Sequence, residues 1–206
     1  MARVSQEHLD ARRRQILDGA ALCFARNGFH ATSMQDVLKE VGLSAGAVYR
    51  YFRGKEELIG AIVGEVLERI QGTFEAAVDE TPPPPPDVLI GRALTQVLSS
   101  RTDEGDGEVP YFPRLMLQVW AETMRNDELA TVMRDGYTRV RAAWVKIVEG
   151  YQAAGMMRAD IPADHVARAM IGAAQGFAAQ LALFDEVPVE ALQDGLRGLM
   201  SMGKPQ

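Results

Sequence analysis

Ser33-Met34-Gln35-Asp36-Val37-Leu38-Lys39-Glu40-Val41-Gly42-Leu43-Ser44-Ala45-Gly46-Ala47-Val48-Tyr49-Arg50-Tyr51-Phe52 is the stretch that decides the fold. Met34, Val37, Leu38 and Val41 recur at helical spacing, and Thr32 or Ser33 offers the N-cap. Gly42 stops that helix, and Ser44 caps a second short one through Val48, Tyr49 and Phe52. Two short helices joined by Val41-Gly42-Leu43 form a helix–turn–helix. A helix that enters a duplex groove has this build: short, capped, and held by a neighbour so that its N-terminal residues meet base edges. Gly46 lies one turn inside the second helix, where a glycine costs about 1 kcal/mol relative to alanine. Close approach to a duplex explains it, and so does close packing on a neighbouring helix.

Periodicity extends the helical pattern in both directions. Ile16, Leu17, Ala20, Ala21 and Phe24 stripe a first helix over 10–26, ended by Asn27-Gly28. After Gly54 a longer helix carries Leu58, Ile62, Val66 and Ile70. Thr81 and the prolines 82–86 allow no helix to cross, and they read as a stiff connector or a polyproline ligand. Asp87 is placed to cap a helix to about Arg101, and the acidic, Gly-containing segment 102–110 reads as a loop. Helices follow over 113–125, from Asp127 to near Gly155, over 163–184 and over 189–200. The sum is an all-α protein of about nine helices, with an N-terminal three-helix domain over 1–58 and a C-terminal helical domain over 59–206.

Charge divides along the same line. The chain carries −6 overall, which by itself argues against a nucleic-acid partner. Residues 1–58 are nevertheless at +2, and the remainder at −8. The segment Ser44–Lys55 holds Arg50, Arg53 and Lys55 and no acid. A lone Cys23 forbids an intrachain disulfide and fits a reducing cytoplasm. No run approaches the ~20 apolar residues of a membrane span, and no export signal is present. His8, His30 and His165 are scattered, and no phosphate cradle or nucleophile elbow occurs, so neither a metal, a cofactor nor an enzyme activity is expected.

The run Thr32–Leu58, above all Gly42-Leu43-Ser44-Ala45-Gly46-Ala47-Val48-Tyr49-Arg50-Tyr51-Phe52 followed by Lys55, resembles the DNA-binding domain of the TetR family, and the likeness covers about residues 8–62. Leu38 and Val41 stand where that family usually has alanine, and Ala47 where Thr or Asn is common. The resemblance implies a cytoplasmic, ligand-responsive transcriptional repressor that binds a near-palindromic DNA operator as a homodimer. It further implies DNA contacts from Thr32, Ser33, Ser44, Ala45, Gly46, Tyr49, Arg50, Tyr51 and Lys55. Ser33 and Ser44 would meet phosphates, Ala45 a thymine methyl, and Tyr49 and Tyr51 the DNA backbone. Lys55 would clamp a phosphate, and Arg50 reaches a guanine edge or a phosphate. Val48 and Phe52 read as core.

The C-terminal region of such proteins binds effectors and dimerises. Phe112, Met116, Trp120, Met124, Tyr137, Trp144, Gln175 and Phe177 are the candidates for a pocket that takes a small, largely apolar effector. Ala173, Phe177, Leu192, Leu196 and Leu199 are the candidates for the dimer interface, although an intramolecular core explains the same pattern.

Overall fold

The computed structural model describes residues 6–78, 80, 83–98, 111–184 and 187–201, with the side chain of Tyr111 excepted. Among these residues it holds nine α-helices and no strand: α1 (Gln6–Asn27), α2 (Met34–Val41), α3 (Ala45–Tyr49), α4 (Lys55–Val78), α5 (Pro86–Leu98), α6 (Tyr111–Thr123), α7 (Asp127–Ala153), α8 (Ala163–Leu183) and α9 (Val189–Met200). They group into two compact units, one of residues 1–65 and 114–133, the other of 66–113 and 134–206. No described helix is long and apolar enough to cross a membrane.

Several helix ends differ from the sequence expectation, each for a local reason. α1 begins at Gln6, four residues before Asp10, and Gln6 Nε2 donates to Asp10 Oδ1 across that added turn. α3 closes at Tyr49 instead of running through Phe52. Its last carbonyl bonds tighten, with the Tyr51 and Phe52 amides both donating to Val48 O. α5 starts on Pro86, because proline suits the first helical position where no amide partner exists. Asp87 is therefore inside the first turn and not its cap, and it is buried. α7 opens at Asp127 as the sequence expects, and Asn126 before it serves as the cap, its Oδ1 accepting the Leu129 amide at 2.9 Å. The expected end of the fifth helix at Arg101, the loop 102–110, and Thr81 and Pro82 of the connector lie outside the described residues.

In the first unit the predicted stripe of α1 is the buried one: Ile16, Leu17, Ala20, Ala21 and Phe24 are all sealed. Val37 of α2, Val48 of α3, Phe52, and Leu58, Ile59 and Ile62 of α4 complete this core with Leu115 and Val119 of α6. Gly19 explains how α1 tolerates the large Val41 of α2. A β-carbon built at Gly19 would stand 2.4 Å from Val41 Cγ1, so the glycine makes room for the branched residue. Gly42 follows with φ of 63°, the left-handed conformation that a β-carbon strains, and its amide caps α2 on Leu38 O and Lys39 O.

The second unit has its own core. Trp144 of α7 is sealed, its ring 4.8 Å from that of Phe74 on α4, amid Leu89, Ile90, Val148, Ile171, Phe177 and Leu196. Tyr151 is fully buried too, and its hydroxyl donates to Pro84 O, which ties the proline segment to α7 and makes it a connector. Burial pushes the Tyr151 phenol well above its ordinary range, with the charges of Asp87 and Glu80 adding to the effect.

Val41 is branched at Cβ and cannot swing its methyl clear. Gly19→Ala should therefore lower the stability of the first unit by about 1–3 kcal/mol. A thermal melt followed by circular dichroism measures this, and Gly19→Ala with Val41→Ala should recover most of the loss.

Candidate nucleic-acid interface

The face is assembled from the turn before α2 through the start of α4. Ser33 is the N-cap of α2 with extended backbone angles, and its Oγ accepts the Asp36 amide at 3.2 Å. Asp36 returns the contact: its Oδ2 accepts from the Ser33 amide at 2.8 Å and from the Ser33 hydroxyl at 2.6 Å. The Ser33 hydroxyl and the Asp36 carboxylate thus already serve the helix end. Those two hydrogen bonds, the hydroxyl's first, hold the Asp36 carboxyl below its ordinary range. Ser44 caps α3 more loosely, its Oγ 3.4 Å from the Ala47 amide, and this exposed hydroxyl keeps its proton for another acceptor.

Ala45 and Gly46 are exposed, Tyr49 is 48% exposed, Arg50 is exposed and Tyr51 half-buried. These five share the short stretch that Val48 and Phe52, at 0% and 3% exposure, anchor to the core. Nothing lies within 4 Å of a β-carbon built at Gly46, so packing inside this chain does not require the glycine. Among the described residues the Arg50 and Arg53 side chains meet no acid, whereas Arg13 pairs with Glu65 and Arg26 with Glu40. Arg53 was not among the sequence candidates, and the acid-free run that contains it is the signal that points to it.

Two of the residues expected to contact DNA, Thr32 and Lys55, make hydrogen bonds within the chain. Thr32 is 1% exposed, and its single hydroxyl proton is shared between Gly28 O at 2.8 Å and Cys23 O at 3.1 Å. Thr32 thus latches the α1–α2 turn to the end of α1. Lys55, the first residue of α4, is half-buried. Its Nζ donates to Phe29 O at 3.0 Å and Thr32 O at 3.4 Å, and sits 4.6 Å from the centre of the Phe29 ring. The same turn is met from α6. Glu122, buried, has its Oε2 3.0 Å from His30 Nε2, and Gln118 lies against Gly28, whose φ is 83°. Arg13 stands 5.5 Å over the Phe52 ring while pairing with Glu65, so it steadies the segment that follows α3. Neither Arg13 nor the α6 pair carries a signal that spacing alone reveals.

The eight effector candidates divide between the units. Met116 and Trp120, half-buried, and Met124, 83% exposed, belong to the first unit. Phe112, Tyr137 and Gln175 are half-buried in the second, while Trp144 and Phe177 are sealed in its core. Of the dimer candidates, Phe177 and Leu196 are buried within the chain, Ala173 and Leu192 pack against the same core, and Leu199 is 68% exposed.

A capped helix–turn–helix with an exposed, acid-free second helix defines a DNA-binding helix–turn–helix protein. Comparison with known proteins narrows the class. Residues 16–62 match the model of the bacterial regulatory proteins of the tetR family, and residues 92–200 match that of the BetI-type transcriptional repressor C-terminal domain. The HTH-type transcriptional repressor Rv1474c of Mycobacterium tuberculosis is 32% identical over 170 residues, 80% of this chain and 79% of that protein. The HTH-type transcriptional regulator UidR of Escherichia coli K12 is 25% identical over 188 residues, 91% of this chain and 90% of that one. The structure of Salmonella enterica GusR superposes with a TM-score of 0.72 at 26% identity, covering 98% of this chain and all of that one. The chain belongs to the TetR family of transcriptional regulators.

The Asp36 carboxyl has a folded pKa below its ordinary 3.8. Its stabilisation of α2 is therefore present above the unfolded value and lost as pH falls through the folded one. A carbon-13 titration of the Asp36 carboxyl should give a midpoint below 3.8, and in Ser33→Ala the midpoint should return toward that value.

Proposed function

We propose that this protein is a ligand-responsive repressor that binds a near-palindromic operator as a homodimer and is released by a small, largely apolar effector. The single observation behind the DNA-reading part is the stretch Ser44–Lys55: acid-free, with Ala45, Gly46, Tyr49 and Arg50 exposed above the buried Val48 and Phe52. In this reading Ala45 and Gly46 approach base edges, and Arg50 supplies sequence preference. Ser44, Tyr49, Tyr51 and Arg53 meet phosphates, and Ser33, whose amide and hydroxyl both donate to Asp36, sets the start of α2 beside them. Residues 1–58 form the reading head, and 59–206 carry the effector and dimer functions. The family of the relatives, one of them named a repressor, supports repression.

Dimerisation draws support from the outer faces of α8 and α9. Leu183, Phe184 and Leu199 are 60%, 76% and 68% exposed. Gly172, Gly176, Gly195 and Gly198 have nothing within 4 Å of an added β-carbon, so this surface is low and open to a second copy. The interface therefore falls on these residues and Leu199, while Phe177 and Leu196 hold the helices from behind. A dimer places two recognition helices about 34 Å apart, in successive major grooves. Effector recognition is assigned to the half-buried Phe112, Tyr137 and Gln175, of which Phe112 offers apolar surface and Tyr137 and Gln175 polar groups. α4 begins in the first unit and continues into the second, so effector binding that favours another position of α4 shifts the DNA-competent population.

The decisive experiment selects duplexes from a random pool and compares variants on the selected duplex and on random DNA. Arg50→Ala should lose about 1–3 kcal/mol of preference for the selected duplex. Equal affinity of the wild type for both DNAs, or no effect of Arg50→Ala on either, overturns the reading. Gly46→Ala gives a second check. It should leave folding stability unchanged or higher by up to about 1 kcal/mol, because nothing surrounds that site, yet weaken binding to the selected duplex at least tenfold.

A further inference from the structure

Gly136 stands in the interior of α7, where a glycine weakens a helix relative to alanine and so calls for a reason. The reason is α4. A β-carbon built at the buried Gly136 would collide with Leu67 Cδ1 and stand 3.1 Å from Leu67 Cγ and 3.2 Å from Leu67 Cβ. Turning the leucine about its side-chain bonds clears the methyl but leaves Cβ in place, because Cβ is fixed to the backbone. An alanine at 136 therefore fits only if the two helices part by a few tenths of an ångström. The other glycines of α4 and α7, namely Gly60, Gly64, Gly72 and Gly150, have nothing within 4 Å of an added β-carbon, so none of them serves a close approach.

From Leu67 and Gly136 onward the two helices run in the same direction. Gln71 Oε1 accepts from Arg139 Nε at 3.2 Å, and the Phe74 and Trp144 rings lie 4.8 Å apart. Long side chains bridge the helices at those levels, whereas at Gly136 the leucine of α4 rests on the backbone of α7. Leu67 is the second residue of α4 in the second unit, and Gly136 is the third of α7 there. α4 is unbroken from Lys55 to Val78, so a displacement at Leu67 reaches Leu58, Ile59 and Ile62, which share the core of the first unit with Val48 of α3.

Resting on the homodimeric DNA-reading function proposed above, we propose that Gly136 is a positioning residue: by lacking a side chain it sets how deeply Leu67 seats α4 on α7, and through the unbroken α4 it sets the separation of the two reading heads. Tyr137, assigned above to effector recognition, is the next residue of α7. A ligand that shifts Tyr137 thus moves the backbone on which Leu67 rests.

Half-site spacing separates this role from plain packing, because a contact that only stabilises the second unit has no bearing on the spacing a dimer prefers. The probes are the duplex selected by the wild type from a random pool and two derivatives, with half-sites one base pair closer and one base pair further apart. Gly136→Ala should change the ratio of its affinities for the selected and altered spacings by about threefold or more relative to the wild type. Sedimentation should show the wild-type oligomeric state, and hydrogen exchange of the α1 core amides of 16–21 should be unchanged. Adding Leu67→Ala, which removes the two atoms nearest the new methyl, should recover at least half of the change in ratio.

Equal losses at all three spacings, or an unchanged ratio, overturn the proposal, as does a double variant no nearer the wild type than Gly136→Ala. Should Gly136→Ala lose the α1 protection or the wild-type oligomeric state, the test passes to Leu67→Ala alone. That variant adds no atom and relaxes the seat, so the same ratio should move, and an unmoved ratio overturns the proposal. Loss of the fold or of the dimer in both variants assigns the contact to stability and overturns it too. A wild type that selects no duplex with two half-sites fails the reading proposed above, and the role of Gly136 falls with it; that failure shows in the wild type and not in the variants.

Discussion

A five-residue helix has no business existing alone in water, since nucleation fixes several residues for one hydrogen bond. α3 is such a helix, and the burial of Val48 and Phe52 is what makes it persist. Each contributes about 1.5–3 kcal/mol when removed from water, enough together to offset the nucleus. Every proposed contact with DNA depends on that seat. Ala45, Gly46, Tyr49 and Arg50 are exposed because Val48 is not, and the period of the helix divides the two sets. Arg13 adds a restraint from α1, its guanidinium over Phe52 and paired with Glu65 of α4.

The polar groups around this seat show a competition that composition does not reveal. Residue types suited to phosphate, namely Thr32, Ser33 and Lys55, are used in this conformation to complete hydrogen bonds within the chain. Lys55 completes the hydrogen bonds of two carbonyls in the turn, Phe29 O and Thr32 O. Asp36 adds a carboxylate at the start of α2, which further lowers the appeal of that helix end for an anion. In the proposed DNA-reading role the weight therefore falls on Ser44, whose hydroxyl keeps its proton, and on Arg50 and Arg53, whose side chains meet no acid among the described residues.

The pattern of residues made the helices and their inward stripes legible. Ile16 to Phe24, Val37, Val48 and Phe52 occupy the positions their spacing implies, because a 3.6-residue period translates directly into one buried face. Gly42 and Ser44 were legible as a stop and a start for equally local reasons. What spacing could not supply is the direction of a polar side chain. Thr32 and Ser33 are both good caps on paper, and only the position of α1 behind the turn decides that Thr32 points inward. The contacts of Gln118 and Glu122 with the α1–α2 turn join residues about ninety apart in sequence, beyond any local rule. Ser33 and Asp36, by contrast, stand at capping-box spacing, so that pair was open to reading from the sequence.

α8 and α9 show why small and large apolar residues on one helix have to be separated by face. On α8, Ala167, Ile171, Phe177 and Ala178 turn inward, whereas Ala169, Gly172 and Gly176 are exposed at spacings of three and four. On α9, Leu196 is buried, and Ala191, Gly195 and Gly198 repeat the exposed small pattern. The chain's own core covers the inner stripe of each helix, and on the outer side the small residues alternate with charged ones such as Arg168, Asp194 and Arg197. Leu183, Phe184 and Leu199 are large and exposed at the C-terminal ends of the same two helices. The large residues on the inner stripe serve folding whether or not a second copy is present. In the proposed homodimer, partner affinity falls to the exposed small residues and the large exposed ones, where a single bulky substitution would separate subunits without touching the core.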